Sequence, residues 1–293
     1  MGIIVSVKRF EIHDGDGVRT TLFLKGCPLN CRWCHNPESI CALPTLFYNP
    51  QKCINCGECS NICDCHTTQN SLHNFKRENC ISCGKCADAC LGDALVLYGK
   101  EFSADEILPK LLEDKPFFEE SGGGITISGG EPLIQSEFCT ELLKKLKEQG
   151  VNTAVDTCGF VKREDIDRVL PFTDTFLYDI KAINPEVHKK CTGVTNEIIL
   201  ENLKYIDSLN KQIEIRIPFI PTMNSGEMRA IAEFLSNLKS VKKIKILPYH
   251  PFGASKYEFM GKKYALNIPI PSDNEINDTI KIFNEYGLVA IKE

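Results

Sequence analysis

The sequence predicts an α/β protein: a partial, open (β/α)6 barrel interrupted by an inserted cysteine-rich module. Three observations predict it. From about residue 103 onward, strand and helix patterns alternate. The strands read as short apolar runs, which suits parallel strands joined by right-handed crossovers and covered by helices. Residues 37–100 are different, dense in cysteine and poor in long periodic segments. The predicted division is therefore 1–36 and 101–293 for the barrel, with 37–100 as the insert.

The elements follow in order. Strands are expected near 3–10 and 20–25 ("TTLFLK"), then at "ITIS" (125–128). A helix near 135–149 stops at Gly150. "VNTAVDT" is a strand, with a helix near 162–170. "TFLYDIK" is a strand, followed by helical pattern across 184–210. "IEIRIPFI" precedes a helix at 225–238, and "KKIKILPY" precedes a last helix at 273–286. Six βα units fall short of a closed eight-fold barrel. Ligands are then expected at the C-terminal strand ends.

Composition narrows the function. The chain has 293 residues, 43% apolar and 25% charged, which is globular. No apolar run reaches the roughly 18 residues a membrane span requires. "MGIIVSVKRF" lacks the features of a signal peptide, so the cytoplasm is expected. A net charge of −5 without a basic run argues against nucleic acid and membrane partners. Sixteen cysteines in such a chain point to metal rather than disulfides. Eleven of them form three clusters. Cys41, Cys65, Cys139, Cys158 and Cys191 are scattered and read as small buried hydrophobes, with Cys41 and Cys65 set apart because they lie among the clusters.

Polar chemistry gathers at the predicted strand ends. It comprises the cysteine loop after "TTLFLK", "SGGEP" (128–132), "DTCG" (156–159), "DIK" (179–181), Arg216 and "PYH" (248–250). Each alone could be turn chemistry. Six at one rim indicate one pocket. Cys27, Cys31 and Cys34 are spaced C-x3-C-x2-C on one short loop. Structural zinc needs a fourth ligand, and His35 directly after Cys34 is poorly placed to supply it. Three thiolates suit three corners of an iron–sulfur cubane, with the fourth iron open to substrate. Cys53, Cys56, Cys59, Cys63 and Cys80, Cys83, Cys86, Cys90 each read C-x2-C-x2-C-x3-C, the bacterial two-cluster ferredoxin spacing. In such pairs the fourth cysteine of one run serves the other cluster. The expected sets are Cys53, Cys56, Cys59, Cys90 and Cys80, Cys83, Cys86, Cys63. The proline usual after the last cysteine is missing from both runs, and Cys65 offers an alternative to Cys63. Two zinc knuckles are the competing reading.

"CPLNCRWCHNPE" resembles the cysteine signature of the radical S-adenosylmethionine (SAM) superfamily. With "IHDGDGVRTTLFLKGCPLNCRWC", "SGGGITISGGEP", "DTCGF", "LYDIK" and "LPYHPFG", nearly the whole chain resembles glycyl-radical-enzyme activating enzymes of the pyruvate formate-lyase activator type. The resemblance implies a radical SAM barrel with a ferredoxin-like insert, three [4Fe-4S] clusters, SAM, and in some relatives a monovalent cation. It implies that Cys27, Cys31 and Cys34 hold the SAM cluster. Gly129, Gly130 and Glu131 would receive the SAM amino group. Trp33 and His35 would contact the adenosyl part, and Asp179, Lys181, Arg216 and His250 would complete the pocket. Asp156 and Thr157 match the cation region, and Asp14 and Gly15 a loop near the incoming glycine. The implied reaction is reductive SAM cleavage to a 5′-deoxyadenosyl radical, which takes hydrogen from a backbone glycine of a partner glycyl radical enzyme. The cluster would work at low potential, down to roughly −700 mV. An external donor such as flavodoxin or ferredoxin would feed it, under anaerobic conditions. No side chain is assigned as a general acid or base. The alternatives are a radical SAM enzyme acting on a small molecule, or a non-catalytic ferredoxin-like carrier. Relatives usually have proline where this chain has Asp16, which reads as a tolerated turn residue.

Overall fold

The computed structural model describes residues 1–70 and 72–293. Strands β1 (Gly2–Glu11) and β2 (Arg19–Leu24) form an antiparallel hairpin. The chain then leaves the main sheet for β3 (Thr45–Tyr48), β4 (His66–Gln69), β5 (Leu72–Phe75) and β6 (Leu95–Tyr98). It returns at β7 (Lys100–Phe102), which pairs with β1. Six strands complete the sheet: β8 (Gly124–Gly129), β9 (Asn152–Thr157), β10 (Thr175–Asp179), β11 (Gln212–Phe219), β12 (Val241–Pro248) and β13 (Ala290–Lys292). The order is β13-β12-β11-β10-β9-β8-β2-β1-β7. Every pairing from β2 through β13 is parallel. β13 and β7 are free edges, so the sheet is open.

Two details differ from the sequence reading. "AIK" after the last helix adds a further parallel strand beside β12. The helical pattern over 184–210 is two helices, Pro185–Thr192 and Glu197–Ser208, broken where Gly193 takes a left-handed φ of 91°.

The strands are also less uniformly apolar than they read. Ile125, Ile127, Phe176, Tyr178, Ile213, Ile215, Ile217, Ile244 and Ile246 form one face, buried in the main core with the helices. Alternate residues point the other way. There, Arg19 and Thr126, Ser128 and Asp156, Arg216 and Asp156, and Lys245 and Glu214 are paired across strands. The apolar face supplies the stability and the polar face lines the interior. The β1–β2 loop ties onto that polar face. Lys245 Nζ donates to the His13 carbonyl at 2.7 Å, and Arg216 reaches Asp14 Oδ1 at 3.3 Å. Asp16 lies 3.5 Å from Lys243 on β12 in an exposed ion pair, which contributes little to holding the loop.

The cysteine-rich stretch has little core. Leu46, Cys86 and Leu95 form one small buried cluster, with Tyr48, Phe75 and other cysteines packed around them, and Phe47 and Ala94 are buried nearby in the chain. Its two helices, Glu58–Ile62 and Lys85–Asp88, each start after a glycine at φ 83°. Asn55 and Ser82 match too, at φ 54° and 53°, so the two cysteine runs repeat one backbone course. Among the described residues, no helix is long and apolar enough to cross a membrane.

Candidate active site

The loop bearing Cys27, Cys31 and Cys34 is held by backbone bonds to distant segments. Gly26 N donates to Ser39 O at 2.7 Å and Cys27 N to Ile40 O at 2.9 Å. Asn30 N donates to Thr192 O at 2.8 Å and Arg32 N to Cys191 O at 3.1 Å. Trp33 packs against Cys191, Ile220 and Tyr249. The Tyr257 hydroxyl donates to Cys34 O at 3.2 Å.

All three thiols open onto a cavity of about 680 Å³. Its wall also includes Asp14, Trp33, His35, Gly129, Gly130, Asp156, Thr157, Asp179, Lys181, Arg216 and His250. The six rim segments picked from the sequence therefore converge. Gly129 has φ 135°, and a Cβ there would sit 2.1 Å from Leu24 O; on Gly130 it would sit 2.1 Å from Gly26 O. Only glycine lets this strand end press so closely on the cysteine loop.

Glu131 and Gly15 fall outside that wall. Glu131 is fully buried behind it. Its carboxylate accepts from Leu133 N at 3.0 Å, Cys158 N at 2.7 Å and Thr157 Oγ1 at 2.8 Å. With both oxygens engaged, it shapes the turn after β9 rather than facing the cavity. Gly15 is packed on Arg19, where a Cβ would lie 2.9 Å from Cδ.

Charge in the cavity is dense and paired. Arg216 lies 3.3 Å from both Asp14 and Asp156, and 3.9 Å from Glu293. Burial works against its charge, yet Asp156, Asp14, Asp179 and Glu293 carry its pKa upward. Lys181 donates to Asp179 at 2.8 Å. Ser128 Oγ donates to Asp156 at 2.6 Å. Burial lifts the Asp156 carboxyl to about 6, opposed by Arg216 and helped by Asp179 and Asp14. His35 Nε2 donates to the His250 carbonyl at 2.9 Å, which leaves Nδ1 as the lone pair of a neutral ring. The two imidazoles stack at 4.1 Å, and burial, with His250 beside it, pushes His35 down to about 4.

Three wall residues escaped the sequence reading. Cys158, taken there as a packing residue, hydrogen-bonds through its thiol with Cys27, which lowers the Cys27 pKa. Its place in "DTCG" at the rim was the available signal. Ser128 opens "SGGEP", and Glu293 follows the unforeseen β13; no local pattern marks either.

Residues 21–235 match the family described as the Radical SAM superfamily. The chain is 38% identical to the choline trimethylamine-lyase activating enzyme of Oleidesulfovibrio alaskensis, over 97% of this chain and 95% of that one. It is 38% identical to the trans-4-hydroxy-L-proline dehydratase activating enzyme of Clostridioides difficile, over 96% and 95%. The chain belongs to the glycyl-radical-enzyme activating enzymes of the radical SAM superfamily. A domain of the pyruvate-formate lyase-activating enzyme from Bacteroides vulgatus superposes with TM-score 0.51 at 32% identity, covering 59% of this chain and 99% of that one. A radical SAM methyltransferase from Sphaerobacter thermophilus reaches 0.55 at 15% identity, over 99% and 76%, which shows the shared fold. Activating enzymes of this family use a [4Fe-4S] cluster and SAM. The donor set here fits them: three cysteines on one loop face a cavity with both charge signs and a flat imidazole stack.

The second cysteine-rich region places its donors in two groups. Cys53, Cys56, Cys59 and Cys90 line a single separate cavity. Cys63 and Cys80 both act on the Cys86 thiol, and Cys65 hydrogen-bonds with Cys63.

Proposed function

We propose that Cys27, Cys31 and Cys34 hold the catalytic cluster and that the cavity they face is the SAM site. When bound, the cluster would supply one electron to the sulfonium of SAM, breaking its C5′–S bond to leave methionine and a 5′-deoxyadenosyl radical that would take a hydrogen atom from a glycine Cα of the partner enzyme and become 5′-deoxyadenosine. The chain's residues position and shield. The backbone of Gly129 and Gly130 receives the SAM ammonium, the role that Glu131 fills only indirectly by fixing Thr157 and Cys158. Trp33 and the His35–His250 stack offer apolar faces to the adenosyl group. Asp179 with Lys181, and Arg216 with Asp156, present paired charges to the amino-acid end. Asp156 and Thr157 form the region for a monovalent cation, whose charge would offset the carboxylates that lift the Asp156 pKa. Asp14, anchored by Arg216, sets the loop that meets the incoming glycine segment. Low water access and fixed orientation are what the protein contributes.

Cys53, Cys56, Cys59, Cys90 and Cys80, Cys83, Cys86, Cys63 hold two further [4Fe-4S] clusters in a ferredoxin-like insert at residues 37–100. The cavity shared by the first set supports crossed ligation, because Cys90 comes from the second run. These clusters pass electrons between an external donor and the SAM cluster. Exposed Cys56 and Cys83 support an oxygen-free working environment, as in an anaerobic cytoplasm.

One observation carries the reading: the three thiols share one cavity with the polar ends of the parallel strands. The test mixes reconstituted, reduced protein with SAM and candidate glycyl radical proteins in turn. A glycyl radical doublet in the electron paramagnetic resonance (EPR) spectrum is expected. Cys31→Ala should abolish it and remove one cluster's iron. An undiminished doublet from that variant overturns the assignment.

A further inference from the structure

The β4–β5 hairpin carries a histidine pair that the reading above leaves without a role. His66 lies opposite Phe75 and Thr68 opposite His73, so these four share one face of the hairpin. That face meets the cavity of the first cysteine set: Thr68 and His73 line it beside Cys53, Cys56, Cys59 and Cys90. A Ser60–Thr68 hydroxyl contact at 3.0 Å ties the hairpin to the helix bearing Cys59. Rings fix the histidines from several sides. His66 stacks on Phe75 at 4.5 Å, and Tyr48 meets His73 edge-on at 4.6 Å.

His66 Nδ1 and His73 Nε2 are 3.0 Å apart. Their outer nitrogens, His66 Nε2 and His73 Nδ1, are out of water and have no partner among the described residues. His66 is only 2% exposed. The outer ring nitrogens are enclosed without a counter-charge, an environment that disfavours a charged imidazolium. Two neutral imidazoles carry two N–H groups. One lies between the rings. The other must sit on an outer nitrogen, buried and without an oxygen to accept it. Such a donor is costly unless satisfied. Cysteine sulfur is close to the pair: Cys59 Sγ and one nitrogen from each ring lie within 4.8 Å of one another. Hydrogen bonds to the sulfurs of an iron–sulfur cluster are among the features that set its potential.

We propose that His73, held by His66, donates a hydrogen bond to the sulfurs of the cluster at Cys53, Cys56, Cys59 and Cys90, and thereby raises that cluster's reduction potential. The inference rests on the two-cluster reading of the insert. An N–H directed at sulfur offsets the extra negative charge of the reduced cluster. Electrons entering the insert then settle at this station before moving on. His73 is a positioning residue: it acts on the cluster's energy level without ligating iron.

The experiment compares the wild-type chain, His73→Leu, His73→Asn and His66→Phe, each reconstituted anaerobically. Iron is counted, and each cluster's potential is followed by EPR-monitored titration. Expected for His73→Leu are full iron, a downward shift of one insert potential, and no shift in the other two clusters. His73→Asn, which keeps an N–H, should recover part of the shift. An exchangeable proton coupled to that cluster should vanish in His73→Leu. Full iron with unchanged potentials overturns the inference and leaves the insert reading standing. A wild-type chain holding iron for one cluster only overturns both. Should His73→Leu fail to take up iron, His66→Phe decides: a smaller shift of the same sign supports the inference, and none overturns it.

Discussion

The chain holds its clustered cysteines in two ways. The loop at Cys27, Cys31 and Cys34 is built from outside, by backbone bonds to residues 39–40 and 191–192 and by the packing of Trp33. The cysteine-rich stretch is built from within. Its helices have five and four residues, and its own cysteines take part in its small core. Ile54, Leu72, Ile81 and Leu91 are exposed there. The first site is held by contacts to the surrounding scaffold. The second leaves several of its apolar residues on the surface around a small core, and on the two-cluster proposal ligation would supply much of its stability, as in small metal-folded domains.

The largest expected effect follows directly. Stripping iron with an anaerobic chelator should bring backbone amides of residues 53–98 to fast hydrogen exchange. Amides of β8 through β12 should keep their protection. Slow exchange in the iron-free insert would break the contrast, since the insert would then hold itself together. The next effect is confined to the barrel. Arg216→Gln leaves Asp14 and Asp156 facing each other unpaired. Removing one partner of a buried pair costs about 3–5 kcal/mol. The barrel's melting temperature should drop while the insert keeps its iron, as measured by calorimetry and iron count. Loss of insert iron in this variant would mean that the two regions fold as one unit.

Legibility in the sequence divides along the same line. The barrel's strands were readable because each is a short apolar run followed by a helix pattern, and the rim residues follow them at fixed places. The duplication of the two cysteine runs was readable because their spacing is local, and Asn55–Gly57 and Ser82–Gly84 repeat one backbone course. What stayed hidden depends on distance along the chain. Asp14 and Arg216 are 202 residues apart, and nothing local joins them. The polar alternation in β11, with Glu214 and Arg216 on one side and Ile213, Ile215 and Ile217 on the other, is visible in "IEIRI". Its meaning needs the partner strand, where Lys245 pairs with Glu214. Glu131 is a case of the opposite kind. Its motif suggests a ligand contact, whereas the folded chain spends both oxygens on β9's turn.

The smallest effect tests whether the barrel's independence extends to its edge. Asp114 is buried where β1 and β2 meet the helices that precede β8. It accepts from Arg9 of β1 at 2.8 Å and from Thr20 of β2 at 2.7 Å. The hydrogen bond from Arg9 holds its carboxyl below the usual value of 3.8, against the pull of burial. A depressed folded pKa means stability that is present above about pH 4 and lost as pH falls through the folded value. Asp114→Asn lacks that contribution at every pH. Its melting temperature should therefore lie below wild type at pH 7, and the two should converge toward pH 3. A gap that stays constant with pH would assign Asp114 to packing alone. An accompanying change in insert iron would show that strain at this edge reaches the metal sites through β1 and its partner β7.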